Sequence, residues 1–180
     1  MNALPPLAVV GAGSMGGAIL RGLLASGVDP ASVAVSTRST ASAQAWGADG
    51  VRAIAVADDA TANAAAVVGA QVVLIGVKPA MVPDTLREIA DALEPGALVV
   101  SVAAGVSIAT MESIVPNPVV RAMPNTPALV RRAVTGIAAG SRTTDADLAV
   151  ARALFEAVGS VIEVPESQIN ALSAFSGSGP

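Results

Sequence analysis

Short apolar runs alternate along the chain with longer stretches of mixed polarity. Leu7-Ala8-Val9-Val10, Val33-Ala34-Val35-Ser36, Gln71 to Val77, Ala97 to Val102 and Val119 to Ala122 are near-continuously apolar and brief, and they read as strands buried on both sheet faces. Residues 51–56 form a weaker strand of the same kind. Helical stretches separate them. One runs through Ala18-Ile19-Leu20 to Leu24 and stops near Gly27, and a second covers Ala60–Val68. A third runs from about Pro83 to Leu93, with Leu86, Ile89, Ala90 and Leu93 on one face and Pro83 suited to its first turn. Strict strand–helix alternation predicts an α/β fold of Rossmann type, a doubly wound and mostly parallel sheet.

The texture changes beyond residue 122. Ala133 to Ala139 reads as a strand with no crossover helix before it, hence antiparallel at the edge of the sheet. Thr144 with Asp147 three positions on fits a helix cap. Leu148, Leu154, Phe155 and Val158 supply the buried stripe of that helix, and Gly159 is expected to end it. Val161 to Val164 is a last short strand. From about Pro165 a new helix is expected over Glu166 to Phe175, leading into Ser176-Gly177-Ser178-Gly179-Pro180.

The first strand passes directly into Gly11-Ala12-Gly13-Ser14-Met15-Gly16 and then into a helix. Strand, glycine turn and helix in that order form a dinucleotide-binding fingerprint. Gly11 permits the tight turn, Gly13 lets a pyrophosphate approach the main chain, and Gly16 lets helix and strand pack closely. The first amides of the helix have no internal partner and sit at the positive end of its dipole, which favours an anion. About 20 residues past such a loop, chains that use NAD usually carry a carboxylate for the adenosine ribose. Here the second strand ends in Ser36-Thr37-Arg38-Ser39, without one. Thr37 and Arg38 would instead offer a hydroxyl and a guanidinium to a 2′-phosphate, so NADP(H) is the expected cofactor, with NAD(H) left open.

Composition narrows the chemistry. The 180 residues are 53% hydrophobic, yet no uncharged apolar run approaches the roughly 18–20 residues that span a bilayer. No Lys or Arg precedes the first apolar run, which argues against a secretory signal, and a cytoplasmic protein is expected. There is no Cys, His or Tyr, so disulfides, thiolate zinc sites and three common proton donors or nucleophiles are missing, and no metal site is expected. A net charge of −4 argues against nucleic acid as partner. Lys78, at the end of the fourth strand, is the chain's single lysine.

Three further segments are more specific than the glycine loop: Gly76-Val77-Lys78-Pro79, Arg121-Ala122-Met123-Pro124-Asn125-Thr126-Pro127 and the terminal Ser176 to Pro180. In this order and spacing the chain resembles pyrroline-5-carboxylate reductases over its whole length. The resemblance implies hydride transfer from NAD(P)H to the C=N bond of 1-pyrroline-5-carboxylate, giving L-proline. It implies that Gly11 to Gly16 form the pyrophosphate loop, that Arg38 meets the adenosine ribose or its phosphate, and that Asn63 binds the cofactor. It also implies that Gly76, Val77, Lys78 and Pro79, with Val102, Ala103 and Ala104, line the nicotinamide half, joined by Asn125. Glu166 corresponds to a glutamate at the substrate site, and Ser176 and Gly177 to substrate-binding backbone; no catalytic acid or base is identified. Residues 1–164 would then be the NADP-binding domain and 165–180 the first helix of a helical substrate and dimerisation domain, truncated here. Ile169, Leu172 and Phe175 would normally be covered by that domain. A homodimer or higher oligomer is implied for the complete family member. Two other readings stay open: a β-hydroxyacid dehydrogenase, which shares the glycine-loop opening, and an NADP-binding module without activity in this form.

Overall fold

The computed structural model describes residues 4–169. Six strands, β1 (Leu7–Val10), β2 (Val33–Thr37), β3 (Arg52–Ala55), β4 (Val72–Ile75), β5 (Leu98–Ser101) and β6 (Val119–Met123), lie parallel in the order β3-β2-β1-β4-β5-β6. Val9 of β1 lies opposite Val35 on one side and Leu74 on the other. The winding therefore reverses between β1 and β4, which opens a crevice at the carboxyl ends of those strands. The doubly wound sheet is the architecture that the alternation of elements implied.

The helices are α1 (Ser14–Ala25), α2 (Thr40–Ala48), α3 (Ala62–Val67), α4 (Val82–Ile89), α5 (Ile108–Glu112) and α6 (Asp145–Glu156). Alternation along each strand divides the core into two layers. On one face Leu7 and Val9 meet Ile19, Leu20 and Leu23 of α1 and Leu154 and Phe155 of α6. On the other, Ala8 and Val10 meet Val67 of α3, Leu86 and Ile89 of α4 and Met111 of α5. Helix α6 opens with the expected cap: the Thr144 hydroxyl accepts the Asp147 amide, and the Asp147 carboxylate accepts the Thr144 amide.

Three expectations need correction. β7 (Ala133–Ala139) does run antiparallel to β6, but it is not the edge of the sheet. α6 returns the chain to β8 (Gly159–Glu163), which pairs parallel with β7 and takes the outer position. Gly159 does not end the helix; it begins β8 directly opposite Ala133, where a Cβ would run into the Ala133 carbonyl oxygen. Ile169, for which a further domain was expected to be the cover, is fully buried against the α3–α5 layer. The first turn of the helix that starts at residue 166 is thus docked on the sheet, whereas Leu172 and Phe175 lie outside the described residues.

Candidate functional site

Every loop at which the sequence placed a cofactor contact leaves the same edge of the sheet, the carboxyl end of a parallel strand. Gly11–Gly16 follow β1, Arg38 follows β2, and Asn63 opens α3 after β3. Gly76–Pro79 follow β4, Val102–Ala104 follow β5, and Asn125 follows β6. Two cavities, of about 510 and 220 Å³, lie at the opposite edge, around the starts of β1, β2, β4 and β5, and share none of these residues.

The glycine loop is packed so that no room is left for a side chain at two of its positions, Gly11 and Gly16, or at Gly76 beside it. Gly11 has φ +84°, and a Cβ there would meet the Val77 side chain at 2.7 Å. A Cβ at Gly16 would meet the Gly11 carbonyl oxygen at 2.8 Å, and one at Gly76 the same oxygen at 2.6 Å. Gly13 differs. A Cβ there would find nothing within 4 Å, although its φ of −76° is ordinary. Open space therefore lies over the start of α1, a 12-residue helix whose amino terminus no side chain caps. Gly11 and Ala12 donate their amides to the Ser36 carbonyl at 3.1 and 3.2 Å, and the Gly13 amide turns back to the Gly11 carbonyl at 2.8 Å. The first amides of α1, those of Ser14, Met15 and Gly16, are the ones a helix leaves without internal acceptors. A cradle that lacks a side chain, beneath uncapped amides and a helix dipole, fits a diphosphate.

Around this cradle the expected residues differ in availability. Thr37 is buried, and its hydroxyl donates to the Ser39 carbonyl at 3.0 Å. Arg38 beside it is exposed, as are Ser39 and Thr40. Asn63 donates its amide to Glu88 of α4 at 2.9 Å. Lys78 is exposed and has no ion pair among the described residues. Val102 is half-buried, Ala103 buried and Ala104 exposed, with the Ala103 amide donating to the Ser101 hydroxyl. The side-chain oxygen of Asn125 accepts the Val134 amide at 3.0 Å and so ties the loop after β6 to β7. Ser176 and Gly177 lie outside the described residues. Among the described residues no cluster of three or more His, Cys, Asp or Glu could hold a metal ion.

Glu166 joins the start of α5 to β6. Its Oε1 accepts the amide of Ile108, at the start of α5, at 2.8 Å, and accepts from the Arg121 guanidinium of β6 at 3.1 Å. The Arg121 side chain is 5% exposed and that of Glu166 32%.

Residues 6–105 match the family model described as NADP oxidoreductase, coenzyme F420-dependent. The chain belongs to that family. Within it, the resemblance drawn from the motifs is borne out. The chain is 40% identical to a pyrroline-5-carboxylate reductase of Pseudomonas aeruginosa over 98% of its own length and 64% of the relative's. The solved pyrroline-5-carboxylate reductase of Coxiella burnetii superposes with a TM-score of 0.90 at 35% identity, over 98% of this chain and 65% of that one. A Plasmodium falciparum pyrroline carboxylate reductase solved with NADP bound has the same fold, with a TM-score of 0.84 at 22% identity over 100% of this chain and 64% of its own. The chain spans slightly less than two thirds of the length of these relatives.

Two features of this oxidoreductase edge escaped the reading of residues. Ser36, at the end of a strand by its sequence, is buried, and both its carbonyl and its hydroxyl accept the Gly11 amide. Arg121, one residue of the motif after β6, has Glu166 as a partner that the motif itself does not reveal. The available signal was a lone guanidinium between Val120 and Ala122 in an apolar strand, because a charge buried there needs a carboxylate to meet it.

Proposed function

We propose that this protein reduces the C=N bond of 1-pyrroline-5-carboxylate to give L-proline, drawing on NADPH held along the carboxyl-terminal edge of the sheet. The observation that carries this reading is the open cradle at Gly13, set among glycines that are packed backbone against backbone. The family match and the 40% identity to a reductase of that name support the same chemistry.

In this reading the amides at the head of α1 bind the diphosphate, and Ser36 sets the position of the loop that presents them. Arg38 grips the 2′-phosphate of the adenosine half from outside the sheet. The hydroxyls around it are already engaged, Thr37 with the Ser39 carbonyl, Ser39 with Ser42 and Thr40 with Asp58, so the guanidinium is the principal contact proposed for that phosphate. Gly76–Pro79, Val102–Ala104 and Asn125 border the nicotinamide half, which belongs to the second mononucleotide unit of such a sheet. When bound, the reduced nicotinamide supplies a hydride to the imine carbon, and a proton goes to the ring nitrogen. The contribution of the chain is placement: bringing donor and acceptor carbons to roughly 3–3.5 Å turns an encounter into a local event. Glu166 has one oxygen committed to Arg121 and Ile108, which leaves Oε2 as the acceptor for a protonated ring nitrogen.

Residues 165–180 are proposed to open a second, helical unit that would carry substrate contacts at Ser176 and Gly177 and the homodimer interface. No helix among the described residues is long and apolar enough to cross a membrane, and a cytoplasmic setting is proposed on the sequence alone.

The test is loss of NADPH absorbance in the presence of 1-pyrroline-5-carboxylate, with L-proline identified as the product. Turnover that depends on both compounds supports the reading. NADPH binding without turnover leaves only a dinucleotide-binding function for this chain and contradicts the rest.

A further inference from the structure

Glu166 is separated by 58 residues from Ile108 and by 45 from Arg121, and one of its oxygens holds both. Arg121 lies on β6 two residues before Met123, the start of the Met123-Pro124-Asn125 loop. Ile108 is the first residue after the loop that leaves β5 through Val102, Ala103 and Ala104. These two loops form the far half of the crevice from Arg38 and the glycine turn. Arg121 shares its sheet face with Val119 and Met123, the face that α5 covers, because Val120 and Ala122 pack into the opposite layer. Its guanidinium therefore reaches Glu166 from inside the core. Ile169, one helical turn beyond Glu166 and fully buried in the same layer, anchors the carboxylate to the body of the sheet. Asn125 holds the loop after β6 to β7 through the Val134 amide, and Glu166 ties β6, two residues before that loop, to the start of α5.

We infer that Arg121 and Glu166 are positioning residues that fix the nicotinamide half of the crevice by tying β6 and the start of α5, which flank the loops after β5 and β6, to one carboxylate oxygen. The inference rests on the proposed binding of NADP(H) along this edge. It assigns Arg121 a role exerted through its contact with Glu166, without contact to cofactor or substrate. Removing Glu166 leaves the buried Arg121 charge without this carboxylate, and removing Arg121 leaves the half-buried carboxylate without this guanidinium. Breaking the fastening should therefore loosen the far half of the crevice and leave the adenosine half untouched.

The chain's single tryptophan, Trp46, gives a readout that needs no turnover, since indole emission overlaps the absorption of reduced nicotinamide. Arg121→Met, Glu166→Ala and Glu166→Gln would each be titrated with NADPH and, separately, with 2′,5′-ADP, which carries only the adenosine half. For Arg121→Met and Glu166→Ala the account expects 2′,5′-ADP affinity within twofold of wild type. NADPH affinity should fall at least fivefold, and the emission of bound nicotinamide should drop toward that of free cofactor. Glu166→Gln keeps a side-chain oxygen able to accept from both partners and should recover most of the bound emission. The inference is overturned if the bound nicotinamide emits as in wild type in Arg121→Met, or if 2′,5′-ADP and NADPH affinities fall together. Should Arg121→Met fail to fold, the contrast between Glu166→Ala and Glu166→Gln decides the matter by the same criteria. A wild-type chain that binds NADPH without reducing pyrroline-5-carboxylate defeats the proposed activity and leaves this inference standing. A wild-type chain that ignores NADPH defeats both before any variant is made.

Discussion

A single methyl group separates two kinds of glycine in the opening loop. At Gly16 a Cβ would sit 2.8 Å from the Gly11 carbonyl oxygen, so Gly16→Ala must displace backbone. It is expected to cost about 1–3 kcal/mol, read as a lowered midpoint in denaturant unfolding. At Gly13 the same methyl meets nothing, so stability should change by no more than about 1 kcal/mol. Arg38 acts at the same scale. Its guanidinium is exposed and free to take a phosphate, and a charge-assisted bond contributes about 1.5–3 kcal/mol. Arg38→Ala should weaken NADPH at least tenfold while changing NADH by less than threefold, measured by parallel titrations. Equal losses for the two cofactors would remove the basis for a phosphate preference. The glycines and Arg38 were legible in the sequence because each is a local backbone or charge statement. The Arg121–Glu166 pair was not, because 45 residues separate partners that only the folded sheet brings together.

At the scale of elements, the strands were read nearly residue for residue, and the helices less evenly. Burial on both faces gives a parallel strand an uninterrupted apolar run, as in Val72–Ile75 and Leu98–Ser101. Helix α2, Thr-Ala-Ser-Ala-Gln-Ala-Trp-Gly-Ala, buries only Trp46 and offers no apolar stripe to recognise. Helix α5 is five residues long, too short for a helical period to show. Gly159 misled because glycine is a common helix terminator, whereas here the constraint is the close approach of β8 to Ala133. Gly159→Ala should therefore destabilise the fold by more than about 2 kcal/mol, seen as a fall in thermal midpoint.

The junction of α5 with β7 predicts an acid response. Burial alone would raise the pKa of Glu112, but the hydroxyl and amide of Ser141, with Arg142 nearby, hold it below the usual 4.5. A depressed folded value means that its stabilisation is present above the unfolded pKa and is lost as pH falls through the folded one. The gap in unfolding free energy between wild type and Glu112→Gln should thus narrow as pH is lowered from about 6 to about 3. A gap that stays constant would show that Glu112 contributes nothing through its charge.

For the whole molecule, the topological reversal between β1 and β4 brings glycine turn, Arg38, Lys78 and the loops after β5 and β6 to one edge, although they span more than a hundred residues of sequence. That convergence could be anticipated, since a parallel sheet sends every strand's carboxyl end the same way. The docking of the last described turn could not, because Ile169 reads as an uncovered apolar residue until the layer of Met111 and Ile108 is seen beneath it. The most direct measurement is calorimetric titration of NADPH into the wild-type and Gly13→Ala chains, with thermal unfolding of both. The account predicts that the two unfold alike, that the wild type binds, and that Gly13→Ala binds at least tenfold more weakly because its methyl fills the diphosphate cradle. Equal binding by the two chains, or none by the wild type, would contradict it.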